Sequence, residues 1–132
     1  MSISKSEPIM MILYVKDQEL SKEFYEKLLG LKPQLHVPGM SEFKITDHVL
    51  LGLMPEEGIM RILKNEIPSP NNASGIPRCE LYVYVNEPDE YYLRAVDAGG
   101  TGISKEEQRS WGDYVSYCSD IDGHVLAFAR KL

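Results

Sequence analysis

Ile12-Leu13-Tyr14-Val15, leading through Asp17, Phe24 and Leu28 to Gly30, has a counterpart 70 residues on, where Leu81-Tyr82-Val83-Tyr84-Val85 leads through Glu87-Pro88, Leu93 and Val96 to Gly99-Gly100. In both stretches a short apolar strand enters a helix that stops on glycine, and Val15 to Gly30 repeats the spacing of Val85 to Gly100. Repetition of a whole supersecondary unit at a fixed offset restricts the possible folds more than any single residue does. The chain therefore reads as two copies of one module.

Asp17 is suited to cap the first helix, Leu20, Phe24 and Leu28 recur on one helical face, and Gly30 supplies the stop. Three short strands are predicted next, at about residues 32–37, 41–46 and 49–53, broken at Pro38-Gly39 and Asp47-His48. This makes module 1 (9–54) a βαβββ unit. Residues 55–77 shift in composition, with four prolines and the run Pro68-Ser69-Pro70-Asn71-Asn72-Ala73-Ser74-Gly75, so a linker with one helical turn around Ile59 to Leu63 is predicted. Module 2 (78–132) repeats the order: a strand at Cys79 to Val85, a helix at Pro88 to Ala98, and strands near 101–104, 114–119 and 125–129. In its first strand Cys79, Leu81, Val83 and Val85 share one face, and Glu80, Tyr82 and Tyr84 share the other. The apolar face should lie under helices and the polar, phenolic face should line a concave surface.

The chain has 132 residues, 43% of them hydrophobic, which suits a single domain with one shared core. A net charge of -6 without a lysine and arginine cluster argues against nucleic acid or an anionic membrane as partner, and an acidic surface would tolerate a cationic ligand. No apolar run has transmembrane length, and Ser2 to Glu7 lacks a signal peptide's apolar core, so a cytoplasmic location is expected. Cys79 and Cys118 have no metal-site or redox spacing and are expected to be buried free thiols.

Paired βαβββ modules with an Asp-x-Asp-Gly turn before the last strand, here Asp120-Ile121-Asp122-Gly123, resemble the glyoxalase, bleomycin-resistance and extradiol dioxygenase (vicinal oxygen chelate) superfamily. The likeness runs from Met10 to Leu132 and includes Val15-Lys16-Asp17 and the stretch from Phe24-Tyr25 to Leu29-Gly30. It implies an α+β fold in which two modules curl into a half-open barrel, a cavity that serves as the site, and a homodimer. Metal-dependent members of the family place ligands at four strand positions, which fall here on Met10, on Leu51 or Gly52, on Glu80 and on Ala127. Only Glu80 is a ligand for a hard or borderline cation, and a catalytic metal needs about three. No cofactor is therefore expected; a divalent metal enters only under the alternative of a glyoxalase-like lyase or isomerase with a noncanonical site.

The candidate ligand-binding residues are Glu80, Tyr82, Tyr84, Trp111, Met10, Ile12, Leu51 and Ala127, with Glu80 the catalytic base if the protein is an enzyme. Glu80 either anchors a ligand amine or forms a structural pair with Arg78, Arg109, Arg130 or a tyrosine. Trp111, in Ser110-Trp111-Gly112-Asp113, resembles a Trp-Gly pair of antibiotic-binding relatives and either stacks on a ligand or closes the rim as packing. The aliphatic candidates equally suit a filled core. Tyr25, Tyr91 and Tyr92 read as helix–sheet packing or surface, and His36, His48 and His124 stand near element ends, where a solvated histidine is ordinary. His124 shares the parity of Leu126 and Phe128, which puts it on the helix side of its strand. The resulting expectation is a small-molecule binding protein of the drug-sequestering type, taking an aromatic or cationic ligand. A noncatalytic scaffold with a packed barrel is a third possibility.

Overall fold

A computed structural model describes residues 2–132. In chain order it contains β1 (Ile9–Val15), α1 (Gln18–Leu29), β2 (Leu35–Val37), β3 (Met40–Thr46), β4 (Val49–Pro55), α2 (Glu56–Ile62), a 3-10 turn at Pro70–Ala73, β5 (Glu80–Tyr84), α3 (Pro88–Asp97), β6 (Thr101–Gln108), β7 (Asp113–Ser119) and β8 (Val125–Lys131). Two four-stranded sheets form, ordered β1-β4-β3-β2 and β5-β8-β7-β6. In each, the first and last strands of the module pair in parallel and the remaining pairs are antiparallel. The duplication in sequence is thus a duplication of topology, and the fold is α+β with two βαβββ modules.

The chain packs as two compact units whose limits depart from the two copies. One comprises the chain up to Lys22 with Leu31–Asn72; the other comprises Glu23–Gly30 with Ala73–Leu132. The second half of α1 accordingly belongs to the unit that holds the second sheet.

In the first unit, Leu13, Val15, Phe43, Leu51 and Leu53 are buried on one face of the sheet. Asp17 caps α1 as expected, its Oδ1 accepting the Leu20 N–H at 3.0 Å. Gln18 then clamps the β2–β3 hairpin: its Oε1 accepts the Gly39 N–H at 2.9 Å, and its Nε2 donates to the Val37 carbonyl at 2.8 Å and to Ser41 Oγ at 2.9 Å. The segment after β4 holds more helix than one turn, because Glu56 and Glu57 lie in the first turn of α2, where acidic side chains complement the helix dipole, and Ile59 is buried.

In the second unit, α3 lies on the face of Leu126 and Phe128. Tyr91 stacks on Phe128 with centroids 5.0 Å apart, and Tyr92 covers Gly102, where a Cβ would collide with its hydroxyl. Phe24, Tyr25 and Leu28 of α1 are fully covered, whereas Leu20 is exposed. The predicted face of α1 is therefore displaced: the buried positions are Ser21, Phe24, Tyr25 and Leu28. Cys118 is buried as expected, but Cys79 is exposed, because it lies just outside β5. β6 runs four residues past its predicted end at Ser104; bulges between Gly102 and Ser104 and between Ser104 and Glu107 shift its register and hide the alternation.

Asp120, at the end of β7, organises this unit. Its Oδ1 accepts the backbone N–H of Asp122 and of His124, each at 2.9 Å, while its Oδ2 accepts the Tyr25 hydroxyl at 2.6 Å. His124 Nδ1 lies 2.8 Å from the same Oδ2, and since a carboxylate only accepts, that nitrogen carries the proton. Burial works to raise the Asp120 carboxyl, but the hydrogen bond and charge of His124 and the Tyr25 hydroxyl outweigh it and hold the group below its ordinary value of 3.8.

Such a lowered carboxyl contributes stability that is fully present above the unfolded-state value and is lost as pH falls through the folded-state value. Asp120→Asn should therefore cost roughly 2–4 kcal/mol at neutral pH, and the gap to wild type should narrow below pH 3.8. Urea unfolding midpoints measured from neutral to acidic pH check both the size and the sign.

Candidate functional site

The residues of interest lie on the face of the second sheet turned away from α3. A turn at Arg109–Gly112 closes the β6–β7 hairpin, with the Arg109 N–H donating to the Asp113 carbonyl at 2.7 Å and the Gly112 N–H to the Arg109 carbonyl at 3.3 Å. Gly112 has a φ of 96°, a backbone region that suits glycine. The turn presents Trp111, 58% exposed.

Trp111 is not free to move. Its Nε1–H donates to the Tyr82 hydroxyl oxygen at 2.9 Å, the Tyr82 hydroxyl donates to Asp113 Oδ2 at 2.5 Å, and the Tyr84 hydroxyl donates to the same oxygen at 2.8 Å. The Tyr82 and Tyr84 rings meet edge to face, 5.6 Å apart at 73°. Pairing of β7 with β8 sets Lys131 opposite Asp113, and its ammonium lies 4.8 Å from the centre of the Tyr84 ring. The hydrogen bond from Tyr82 is the first cause that holds the Asp113 carboxyl below its ordinary range. Burial and that same bond push the Tyr82 phenol up to about 12, and the bond to Asp113 raises Tyr84. At neutral pH the acid is charged and both phenols keep their protons, so the chain of bonds locks the rings in place and offers no base poised near 7.

Behind these rings Val115, Ala127 and Ala129 form a buried floor, with Tyr82 and Tyr117 packed against it. Ala127 pairs with Tyr82 on one side and Tyr117 on the other, so the two tyrosines flank an alanine. The Arg109 guanidinium stands 5.4 Å from the Tyr117 ring centre. Burial raises the Tyr117 phenol, as does the charge of Glu80, against the opposing charge of Arg109.

Of the predicted residues, Glu80, Tyr82, Tyr84, Ala127 and Trp111 meet on this face or at its rim. Glu80 is exposed at the start of β5 rather than buried, and none of the arginines proposed as its partners pairs with it: Arg130 bonds Glu106, Arg109 lies nearest Glu107, and Arg78 is exposed. Met10 and Ile12 lie in the first unit, on the face of Gly52; a Cβ there would meet Met10 Sδ at 3.0 Å and Ile12 Cγ1 at 3.1 Å. Leu51 pairs with Met11, so its side chain turns to the opposite, buried face, and the sheet does not bring it together with Met10 and Ile12. Sequence reasoning missed Asp113, Lys131, Tyr117 and Arg109. Asp113 was signalled by its place two residues after Trp111, but Lys131 and Tyr117 are recruited by strand pairing and Arg109 by the place of its guanidinium beside the Tyr117 ring.

The family's metal positions carry two thioether or aliphatic side chains or a glycine, one alanine and the exposed Glu80, a donor set that does not fit a catalytic divalent cation. Among the described residues, Asp120, Asp122 and His124 bring potential ligand atoms within 4.8 Å of one another. Each Asp120 oxygen is already engaged by two hydrogen bonds, and His124 Nδ1 is turned to Asp120, so the group serves the turn. His36 is likewise engaged, its Nδ1 2.7 Å from the buried Ser41 Oγ and its Nε2 3.0 Å from Glu19.

The sequence profile of the Glyoxalase/Bleomycin resistance protein/Dioxygenase superfamily matches residues 8–128. No functionally curated protein matches the chain. Among solved structures, a glyoxalase-related enzyme from Fulvimarina pelagi shares 21% identity over 92% of this chain and 86% of its own, with a TM-score of 0.77. A glyoxalase/bleomycin resistance protein/dioxygenase family enzyme from Burkholderia phytofirmans PsJN shares 17% identity over 93% of this chain and 97% of its own, at 0.75. A protein of unknown function from Agrobacterium tumefaciens shares 21% identity over 100% and 97%, also at 0.75. At these identities the likeness concerns the fold.

Since Trp111 is the single tryptophan, the protein should give one indole N–H resonance. Tyr82→Phe removes its acceptor, so that resonance should move upfield and exchange faster with water, while the melting temperature changes little. An unmoved resonance would mean that the indole is held by something other than Tyr82.

Proposed function

The chain belongs to the Glyoxalase/Bleomycin resistance protein/Dioxygenase superfamily, and within it we propose a metal-independent binding protein that takes a small aromatic molecule against Trp111 and the Tyr82–Tyr117 floor without changing it chemically. The observation that carries this reading is the exposed indole, oriented by its bond to Tyr82 and through it by Asp113. An exposed but immobilised ring stacks on a flat ligand at small entropic cost, and the contact is worth about 0.5–2 kcal/mol.

Lys131 already occupies the approach to the Tyr84 ring and offsets the charge of Asp113, which favours an aromatic over a purely cationic ligand. A lyase or isomerase is less well supported. Three of its four metal positions lack donors, and Glu80, the residue that would act as base, is exposed at the start of β5. Sequestration of a drug-like compound would follow from binding without turnover. We take the protein to act as a homodimer in the cytoplasm, away from nucleic acid and membranes. Its acidic net charge supports the first exclusion, and no helix among the described residues is long and apolar enough to cross a membrane.

Calorimetric titration with a neutral bicyclic aromatic alcohol tests the reading. Trp111→Ala should weaken binding by about 3- to 30-fold and leave the melting temperature unchanged. Equal affinity in the variant, or conversion of the probe to product, would contradict it.

A further inference from the structure

The arginines of the second unit are not equally satisfied. Arg130 bonds Glu106, and Arg94 holds Glu90 at 2.8 Å. Arg109 has looser ties: its Nη1 lies 3.5 Å from a Glu107 carboxylate whose side chain is 67% exposed, and its Nη2 donates to Ser104 Oγ at 3.3 Å. Its Nε–H is buried and makes no hydrogen bond. An exposed ion pair at that separation contributes little, whereas an unmade buried donor is costly. The edge of the guanidinium formed by Nε and Nη2 therefore carries one donor without a partner and one held only by a hydroxyl that can rotate away.

That edge belongs to the face already described. The guanidinium covers the Tyr117 ring, Tyr117 flanks Ala127 opposite Tyr82, and Arg109 opens the turn that presents Trp111. Two parallel N–H donors from a planar fork match the two oxygens of a carboxylate. Glu80, the opposite charge near Tyr117, makes no ion pair with Arg109 among the described residues, so the guanidinium charge is met only by the loose contact to Glu107, and a ligand oxygen reaches the buried Nε–H only as the side chain turns from Ser104. Resting on the binder reading above, we infer that Arg109 is an anion anchor and that the aromatic molecule taken by this face carries a carboxylate.

Two probes with the same ring, 4-nitrobenzoate and 4-nitrobenzyl alcohol, test the anchor through quenching of the only tryptophan. The carboxylate should bind wild type about tenfold more tightly than the alcohol, and Arg109→Gln should abolish that ratio by weakening the carboxylate more than the alcohol. Should Arg109→Gln fail to fold, Arg109→Lys keeps the charge without the fork and should also shrink the ratio. A ratio unchanged by the substitution, with the alcohol still binding, overturns the anchor and leaves the binder intact. Saturable quenching by neither probe overturns both.

Discussion

The Asp120 carboxylate is the interaction from which the geometry of the second unit follows. It closes the turn between β7 and β8 through two backbone N–H groups, and it takes the Tyr25 hydroxyl and the His124 ring from the helix side. A turn held this tightly leaves one register for the hairpin, since a slip of one residue would exchange the faces of every side chain on the strand. In the register observed, Tyr117 stands beside Ala127, Val115 beside Ala129 and Asp113 beside Lys131. The alanine floor, the tyrosine that borders it and the pairing of Lys131 with Asp113 are consequences of that one closure.

On the face away from the helices a second carboxylate plays a comparable part. Asp113 receives two phenols on a single oxygen, and one of those phenols receives the indole of Trp111. Because the acid is held in its charged form and the phenols in their protonated form, the network orients aromatic surface and has no proton in play at neutral pH. That chemistry suits recognition of a ring better than abstraction of a proton and is the basis of the proposed binder reading, although two of the structures that the chain resembles are described as enzymes.

Much of this was legible in the chain itself. The offset between Val15–Gly30 and Val85–Gly100 led to two modules, Asp17 and Gly30 bounded α1, and the alternation from Cys79 to Val85 separated the phenolic face from the helix-facing one. The failures were of parity and register, which no local propensity carries. Leu51 turned to the other face because its neighbour Gly52, not Leu51, is level with Ile12 in the parallel pairing. Leu20 is exposed because Ser21 and Tyr25 complete the buried face of α1. The length of β6 was concealed by two bulges, and Lys131 joined the site by pairing with Asp113 across the hairpin and Arg109 by the place of its guanidinium beside the Tyr117 ring, contacts that no local motif announces.

The central claim is that Trp111 and its tyrosines bind an aromatic ring without a metal. It is tested most directly by following the one indole N–H resonance of chelator-treated protein as a neutral aromatic ligand is added, before and after supplying zinc, nickel or manganese. The account predicts a saturable shift in the metal-free protein that added metal leaves unchanged. A resonance that stays fixed until a divalent metal is present would contradict it and make a metal-dependent enzyme the better description.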